Sequence, residues 1–361
     1  MDFGLTEEQL LLAETVRRYL SDNCPTSRVR SVMEGEDGHD EELWRGLNDL
    51  GVGAILLPQE LDGLGGEFLD LALVAEQLGY HAAPGPFLGC SMAMVALLYA
   101  DDAGLGTRWL PALAGGDAIG TVALSEAGGR WEPEELEVRV EGGRLSGTKP
   151  LVPYSALADF FVVAARDGRG PGLWLVEAEA GCVHNTALAG NDMTRRLGTV
   201  DFERAPALRL GGRDLIEKTR DAGLVLIAVD SYGGARRCLA MARDYALERE
   251  QFGQVIGAFQ AVKHQLADLA TELEPALSLC WYAAHAFDAL PAQAPRQAAI
   301  AKARLTDLYD RAVRDSMELH GGISFTWEFD LQLWFRRSMF NRSFLGDSCY
   351  QRQRVADLAG W

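Results

Sequence analysis

No two of the six cysteines form a CxxC pair. Cys24, Cys90, Cys182, Cys238, Cys280 and Cys349 are scattered along the chain, which points away from a zinc site or a disulfide framework and toward reduced, cytoplasmic thiols. The six histidines make no HExxH, and no metal is expected. There is no GxSxG and no phosphate loop. The run Gly63-Leu64-Gly65-Gly66 lacks the third glycine of a dinucleotide fingerprint and has no strand before it. No apolar run reaches the roughly 18 residues that a membrane span needs. The first residues, MDFGLTEEQLLLAETVRRYL, lack a basic segment followed by an apolar block, so neither a span nor a secretory leader is expected. Positive charge is also scarce: 34 Lys and Arg stand against 52 Asp and Glu, a net charge of −18. That argues against a nucleic-acid or anionic-membrane binder, whose phosphate contacts need clustered cations. An anionic small ligand, by contrast, needs only a few local cations.

What is present is enough for a large core. The chain has 361 residues, 48% of them hydrophobic, which allows two or three packed units. Residues 1–117 read as helical. Thr6 before Glu-Glu-Gln is a plausible N-cap, and Leu10, Ala13, Val16 and Leu20 recur at helical spacing. FLDLALVAEQLGY and a stretch over 89–100 continue the pattern. Residues 118–215 change to short apolar runs separated by Gly, Pro and Asp, the grammar of strands and turns. ELEVRVEGGRLSG reads as a hairpin turning at Gly142-Gly143. From 216 to 361 the pattern is helical again, with long segments over 216–250, 262–290 and 298–319 and a last one running to about Ala359. The expected fold class is therefore α+β, mostly α: a helical N-terminal domain (1–117), a middle β-domain (118–215) and a C-terminal helical domain (216–361).

Two segments stand out. LEREQFGQVIGAFQAVKHQLAD ends one helix, turns, and begins another. Arg249 and Gln251 fall at that junction with Phe252 beside them, where an Arg fork can hold a pyrophosphate. A plain interhelical turn with a surface Arg is the alternative. ELHGGISFTWE places Gly321-Gly322 after a long helix, either as a C-cap or as a place where a flat ligand approaches the backbone.

Together, REQFGQVIGAFQAVKHQLADL and ELHGGISFTWEFDLQLWFRR closely resemble the two C-terminal signatures of the acyl-CoA dehydrogenase superfamily. LTEEQLLLAETVRRYL, LNDLGVGAILLPQELDGLGG, TVALSE, SGTKPLVPYSALADFFVVAAR and NDMTRRLGTVDFERAP extend the resemblance over essentially the whole chain. The resemblance implies a middle β-barrel or sandwich and a C-terminal four-helix bundle. It implies an oligomer, a dimer or tetramer of like or unlike chains, that binds FAD at a subunit interface and oxidises an acyl-CoA thioester. Electrons then pass to an electron-transfer flavoprotein or a similar acceptor. Arg249, Gln251, Phe252 and Gln260 would contact the pyrophosphate and adenine side of an FAD held mostly by a neighbouring subunit. Glu318, Gly321 and Gly322 would line its adenosine end, with Glu318 standing where Gln is usual. Val122, Leu124 and Ser125 would face the flavin ring, with the Ser125 hydroxyl donating to it. Val152 matches a second flavin-facing segment, in which Leu151-Val152-Pro153 replaces an aromatic-Ile-Thr sequence and loses the Thr donor. Asp347 reads as a residue that hydrogen-bonds flavin or substrate, with a weaker claim as the base.

The catalytic base is harder to place. The family carries it either as the Glu of a Tyr-Glu-Gly-Thr motif, here Phe344-Leu345-Gly346-Asp347, or near the start of the long helix, here Gly223. Neither residue is a base. Asp230 is the one charge between Gly223 and Ala235, seven residues along and on nearly the same helix face as Gly223. An unpaired acid there has its pKa raised, as a proton-abstracting base requires. Asp230 is thus the candidate base; pairing with Arg236, Arg237 or another cation is the structural alternative. Arg195 and Arg196 read as an exposed strand-end pair or as CoA-phosphate ligands. Three functions follow: a dehydrogenase using Asp230, a non-catalytic partner subunit of a hetero-oligomeric dehydrogenase, or a flavin oxidase or oxygenase on the same fold.

Overall fold

The chain becomes helical where a cap permits it. Thr6 Oγ1 accepts from the Gln9 amide at 3.2 Å, and the Gln9 side chain accepts from the Thr6 amide at 3.1 Å. This reciprocal box satisfies two donors that a helix start leaves orphaned, and α1 runs Glu7–Asn23. The computed structural model describes residues 4–179 and 181–361, so the first three residues of the expected N-terminal region lie outside it. Helices α2 (Thr26–Glu34), α3 (Glu41–Asp49), α4 (Phe68–Tyr80), α5 (Phe87–Leu98) and α6 (Trp109–Gly115) follow. Both α4 and α5 are buried almost all round, which is why their sequences are apolar without a clear stripe.

The middle of the chain forms one mixed sheet. Its strands are β1 (Gly120–Ala123), β2 (Arg139–Glu141), β3 (Arg144–Pro153), β4 (Phe160–Asp167), β5 (Gly170–Glu177), β6 (Val183–Leu188), β7 (Leu197–Pro206) and β8 (Leu208–Gly211). They lie in the order β6-β7-β3-β2-β4-β5-β8, with β1 added in parallel beside β4. The expected hairpin is β2–β3, turning through Gly142-Gly143. Alternation along β4 divides the core. Phe160, Val162 and Ala164 join the helices, while Phe161, Val163 and Ala165 pack with Val138, Trp174, Val200 and Phe202 on the other face.

The rest is helical: α7 (Arg213–Glu248), a two-residue ribbon of β9 (Glu250–Gln251) and β10 (Gln254–Val255), α8 (Gln260–Ala289), α9 (Ala294–His320), α10 (Leu331–Ser343) and α11 (Ser348–Ala359). The single last helix expected from the sequence is two. Leu345 and Gly346 take φ of 59° and 89°, and that left-handed step ends α10. Among the described residues no helix is long and apolar enough to cross a membrane.

Helix α7 is the axle. It is buried without interruption from Thr219 to Ala235 and crosses α4 at backbone contact. A Cβ on Gly79 would lie 2.0 Å from the Asp230 carbonyl oxygen, and one on Gly233 would lie 2.0 Å from that of Glu76. Only glycine permits that approach. Gly79→Ala is expected to force the helices apart and cost about 1–3 kcal/mol. Denaturant midpoints check this; an unchanged midpoint would mean the crossing relaxes freely.

Candidate functional site

Asp230 sits on α7 and is 3% exposed. Its Oδ2 accepts from Arg195 Nη2 at 2.6 Å and Arg337 Nη1 at 3.2 Å, and its Oδ1 accepts from Asn341 Nδ2 at 2.7 Å. Arg337 is itself fully buried and donates onward to Thr194 Oγ1 and to the Ala82 and Ala83 carbonyls. Asp192 completes the group at 3.4 Å from Arg337. The network ties the β6–β7 loop, α7, α10 and the α4–α5 connection together. The premise that made Asp230 a candidate base, an unpaired acid in a pocket, therefore does not hold. Its carboxylate is spent on two guanidinium groups and an amide, and the cations are Arg195 and Arg337 rather than Arg236 or Arg237. Arg195 and Arg196 are likewise not an exposed pair: Arg196 Nη2 donates to the Met33 and Gly35 carbonyls at 2.8 Å.

The two family positions for the base, far apart in sequence, meet in space. A Cβ built on Gly223 would fall 2.7 Å from Leu345 Cδ1 and 2.7 Å from both Met92 Sδ and Cε. Leu345 and Met92 are fully buried. Trp131 and Phe344 close in beside them, their ring centroids 5.5 Å apart. The nearby acids in sequence are occupied. Asp221 pairs with Arg354 at 2.7 Å, and Glu132 takes the Tyr350 hydroxyl and Arg220. The point between Gly223 and Leu345, where the resemblance would put a carboxylate, is filled by apolar side chains.

The residues expected at the flavin ring also turn inward. The side chains of Val122 and Leu124 are buried in the helix-facing core, and Val152 packs into the cluster on the opposite side of the sheet. Only their backbone could meet a ligand. The Ser125 hydroxyl donates to the Pro150 carbonyl, so the expected flavin donor is committed internally. Next to it, Lys149 and Glu126 form a buried ion pair at 2.6 Å, and burial draws the ammonium down to about 8. Asp347 caps α11, accepting from the Tyr350 amide at 2.9 Å. Beneath that loop, fully buried Lys302 donates to the carbonyls of Arg342 (3.1 Å) and Gly346 (3.0 Å).

The other half of the site faces out. Arg249 caps α7 and leads into the β9–β10 ribbon, whose turn is Phe252-Gly253 with φ of 53° and 80°. Two successive left-handed residues make the tight hairpin turn that β-ribbons favour, though Phe is a costly residue to place there. Phe252 is 93% exposed and meets Phe259 edge-on at 6.1 Å. Arg249 and Gln260 are exposed, and Arg249 has no ion-pair partner among the described residues. The Gln251 amide nitrogen donates to the Glu250 carbonyl at 2.7 Å. Glu318, at the end of α9, accepts from Gln265 of α8 at 3.3 Å, which draws the two signature segments together. Gly321 needs its φ of 68°, whereas Gly322 has open space where a side chain would stand. Among the described residues nothing requires glycine at 322, so the opening is available to something outside. Ile323, Phe325 and Trp327 continue this exposed apolar surface.

Sequence reasoning singled out Arg249 and Phe252, which the structure finds exposed at the ribbon, and passed over Met92, Arg337 and Lys302. Arg337 could have been sought, since a lone acid in an apolar helix demands a cation. Met92 and Lys302 carry no local signal.

Comparison with known proteins returns one family over most of the chain. Residues 6–117 match the acyl-CoA dehydrogenase N-terminal domain and residues 211–359 the C-terminal domain. "Acyl-CoA dehydrogenase IpdE2" of Mycobacterium tuberculosis is 34% identical over 92% of this chain and 91% of its own length. A structure described as a Tcur3481–Tcur3483 steroid ACAD variant superposes with a TM-score of 0.90 at 30% identity, covering 98% of both chains. The ChsE4–ChsE5 complex of Mycobacterium tuberculosis superposes at 0.91 with 28% identity, covering 100% and 99%.

Proposed function

The chain belongs to the acyl-CoA dehydrogenase family of oxidoreductases, and from that premise we propose that it is the partner subunit of a hetero-oligomeric, FAD-dependent acyl-CoA dehydrogenase. In this reading it completes the cofactor site of an unlike neighbour and does not supply the base. The observation that carries the proposal is the meeting of Gly223 with Leu345 and Met92, which puts three apolar residues where both family arrangements need a carboxylate. Proton abstraction at a thioester α-carbon requires a base within hydrogen-bond reach of it, and Asp230 is held by Arg195 and Arg337.

The residues fit one half of FAD and not the other. Arg249, exposed and unpaired, would hold the pyrophosphate through its planar fork. Phe252 and the opening at Gly322 would take the adenine side. On the flavin-ring side, Ser125 is committed to Pro150, and Pro153 offers no donor in place of Thr. Bound FAD supplies the hydride acceptor for the β-carbon of the substrate. This chain's contribution is to bind and orient, through a ribbon and two helix ends, and to shield the site with Ile323, Phe325 and Trp327. Two-component relatives support the assembly, since both superposed structures are described by a pair of names. The steroid description of one of them favours a steroid-derived acyl-CoA as substrate. An electron-transfer flavoprotein or a similar acceptor would reoxidise the neighbour.

The test is the visible spectrum. Purified alone, the chain should be colourless and should show no flavin bleaching with any acyl-CoA. Co-purified with its unlike neighbour, it should carry flavin that a steroid-derived acyl-CoA bleaches, with one FAD per pair of unlike chains rather than two. Arg249→Ala in this chain should cost the assembled pair at least tenfold in flavin retention. A yellow chain that is bleached without a partner sinks the proposal.

A further inference from the structure

Five helices enclose a second opening, away from the ribbon. It is a cavity of about 700 Å³ lined by residues of α1, α2, α4, α7 and α10, among them Arg17, Thr26, Tyr80, Arg236, Arg237 and Trp334. That volume lies within the range of small-ligand sites. In a chain of net charge −18, three guanidinium groups converge there. Two have carboxylate partners. Arg17 pairs with Glu14 at 2.6 Å, and Arg236 pairs with Glu76, which is buried.

Arg237 takes neither an ion-pair nor a hydrogen-bond partner among the described residues. It is held by stacking, its guanidinium carbon 5.5 Å from the ring centroids of both Tyr80 and Trp334. Trp334 is fixed in turn by a hydrogen bond from its indole nitrogen to the Gly79 carbonyl at 3.2 Å. A cation clamped between two rings loses little freedom when an anion arrives. A second feature points into the same space. Helix α2 starts at the cavity with Pro25 as its N-cap and no side-chain cap. Its first amide groups therefore remain available to an anion, and its dipole favours one. His81 adds no charge: its Nδ1 lies 2.9 Å from the Gln77 carbonyl, Ser21 Oγ lies 3.3 Å from its Nε2, and burial holds the imidazole below its ordinary range.

We propose that this cavity is an oxyanion site for a phosphoryl-bearing small molecule. The phosphoryl group would sit between Arg237, Arg17 and the start of α2, and the remainder of the ligand would lie along Tyr80. The site is separate from the Arg249 ribbon. Arg237 lies on α7 and Arg249 caps its end twelve residues on, about 18 Å along the axis.

Calorimetric titration of the full chain with inorganic pyrophosphate, and separately with adenosine monophosphate, tests this at low and moderate salt. Wild type is expected to bind at least one of the two, more weakly as salt rises. Tighter binding of the nucleotide would assign the ligand as a phosphate ester, and tighter binding of pyrophosphate as a free phosphate. Arg237→Gln should weaken binding at least tenfold. Arg17→Gln, at an exposed position whose loss cannot unfold the chain, should weaken it several-fold. Arg45→Gln, on the exposed face of α3 and outside both sites, should leave it unchanged. The proposal is overturned if wild type binds neither probe at millimolar concentration, if Arg17→Gln and Arg237→Gln bind as wild type does, or if only Arg249→Gln abolishes binding.

Discussion

Asp230→Asn should destabilise the chain by about 3–5 kcal/mol, the cost of breaking a buried ion pair while its partners stay behind. The substitution keeps the shape and one acceptor oxygen but removes the charge that Arg195 and Arg337 share. Asp192, at 3.4 Å from Arg337, cannot compensate both. Because the network joins the β6–β7 loop to α7 and α10, the loss should appear as a lowered global midpoint, a fall in Tm on the order of 10 °C. Catalysis makes the opposite demand. If Asp230 were the base, Asp230→Asn would fold normally and flavin bleaching in the assembled pair would vanish. The network reading expects the surviving folded fraction to bleach per flavin as wild type does. A double-mutant cycle with Arg337→Met separates pairing from packing.

The second large effect concerns Lys302 and depends on pH. Burial pulls its ammonium from the ordinary 10.5 down to about 7. The sign follows from proton counting. Between about pH 7 and 10.5 the unfolded chain holds the proton and the folded chain does not, so stability rises with pH across that window. Below about 7 the charged form is present in both states and the full burial penalty applies, on the order of a few kcal/mol. Lys302→Met removes that penalty but orphans the Arg342 and Gly346 carbonyls, at about 1–3 kcal/mol. Relative to wild type, Lys302→Met should therefore be at its best near pH 6 and lose ground steadily toward pH 10. Urea midpoints at five pH values check this. A difference that does not change with pH would mean that Lys302 keeps its proton throughout.

Much of the architecture could be read from the residues, because periodicity is a local property. The Thr6 cap, the Gly142-Gly143 hairpin and the long helix ending at Arg249 all follow from spacing within a few turns. The exposed cationic turn was legible for the same reason. The interior of the site was not. Asp230 finds its cations 35 and 107 residues away, and no local pattern chooses them over the nearer Arg236 and Arg237. Nor does spacing reveal that residues 223 and 345 share one point in space, or that Met92 fills it. The inward turn of Ser125 depends on a carbonyl of a neighbouring strand. The break after α10 rested on a left-handed Leu345, a conformation that sequence rules assign to glycine.

The length of α7 sets a final condition on how the protein works. Residue 223 lies on one unbroken helix of 36 residues, and residue 249 caps its C-terminal end, 26 positions on. At 1.5 Å per residue that is about 39 Å of rigid rod, longer than an extended flavin dinucleotide. A ligand gripped at the Arg249 end cannot also reach the Gly223 end of the same molecule. The outward-facing ribbon is therefore a lending arrangement between chains, and titrating one chain against its neighbour should bring the cofactor in only as both are present.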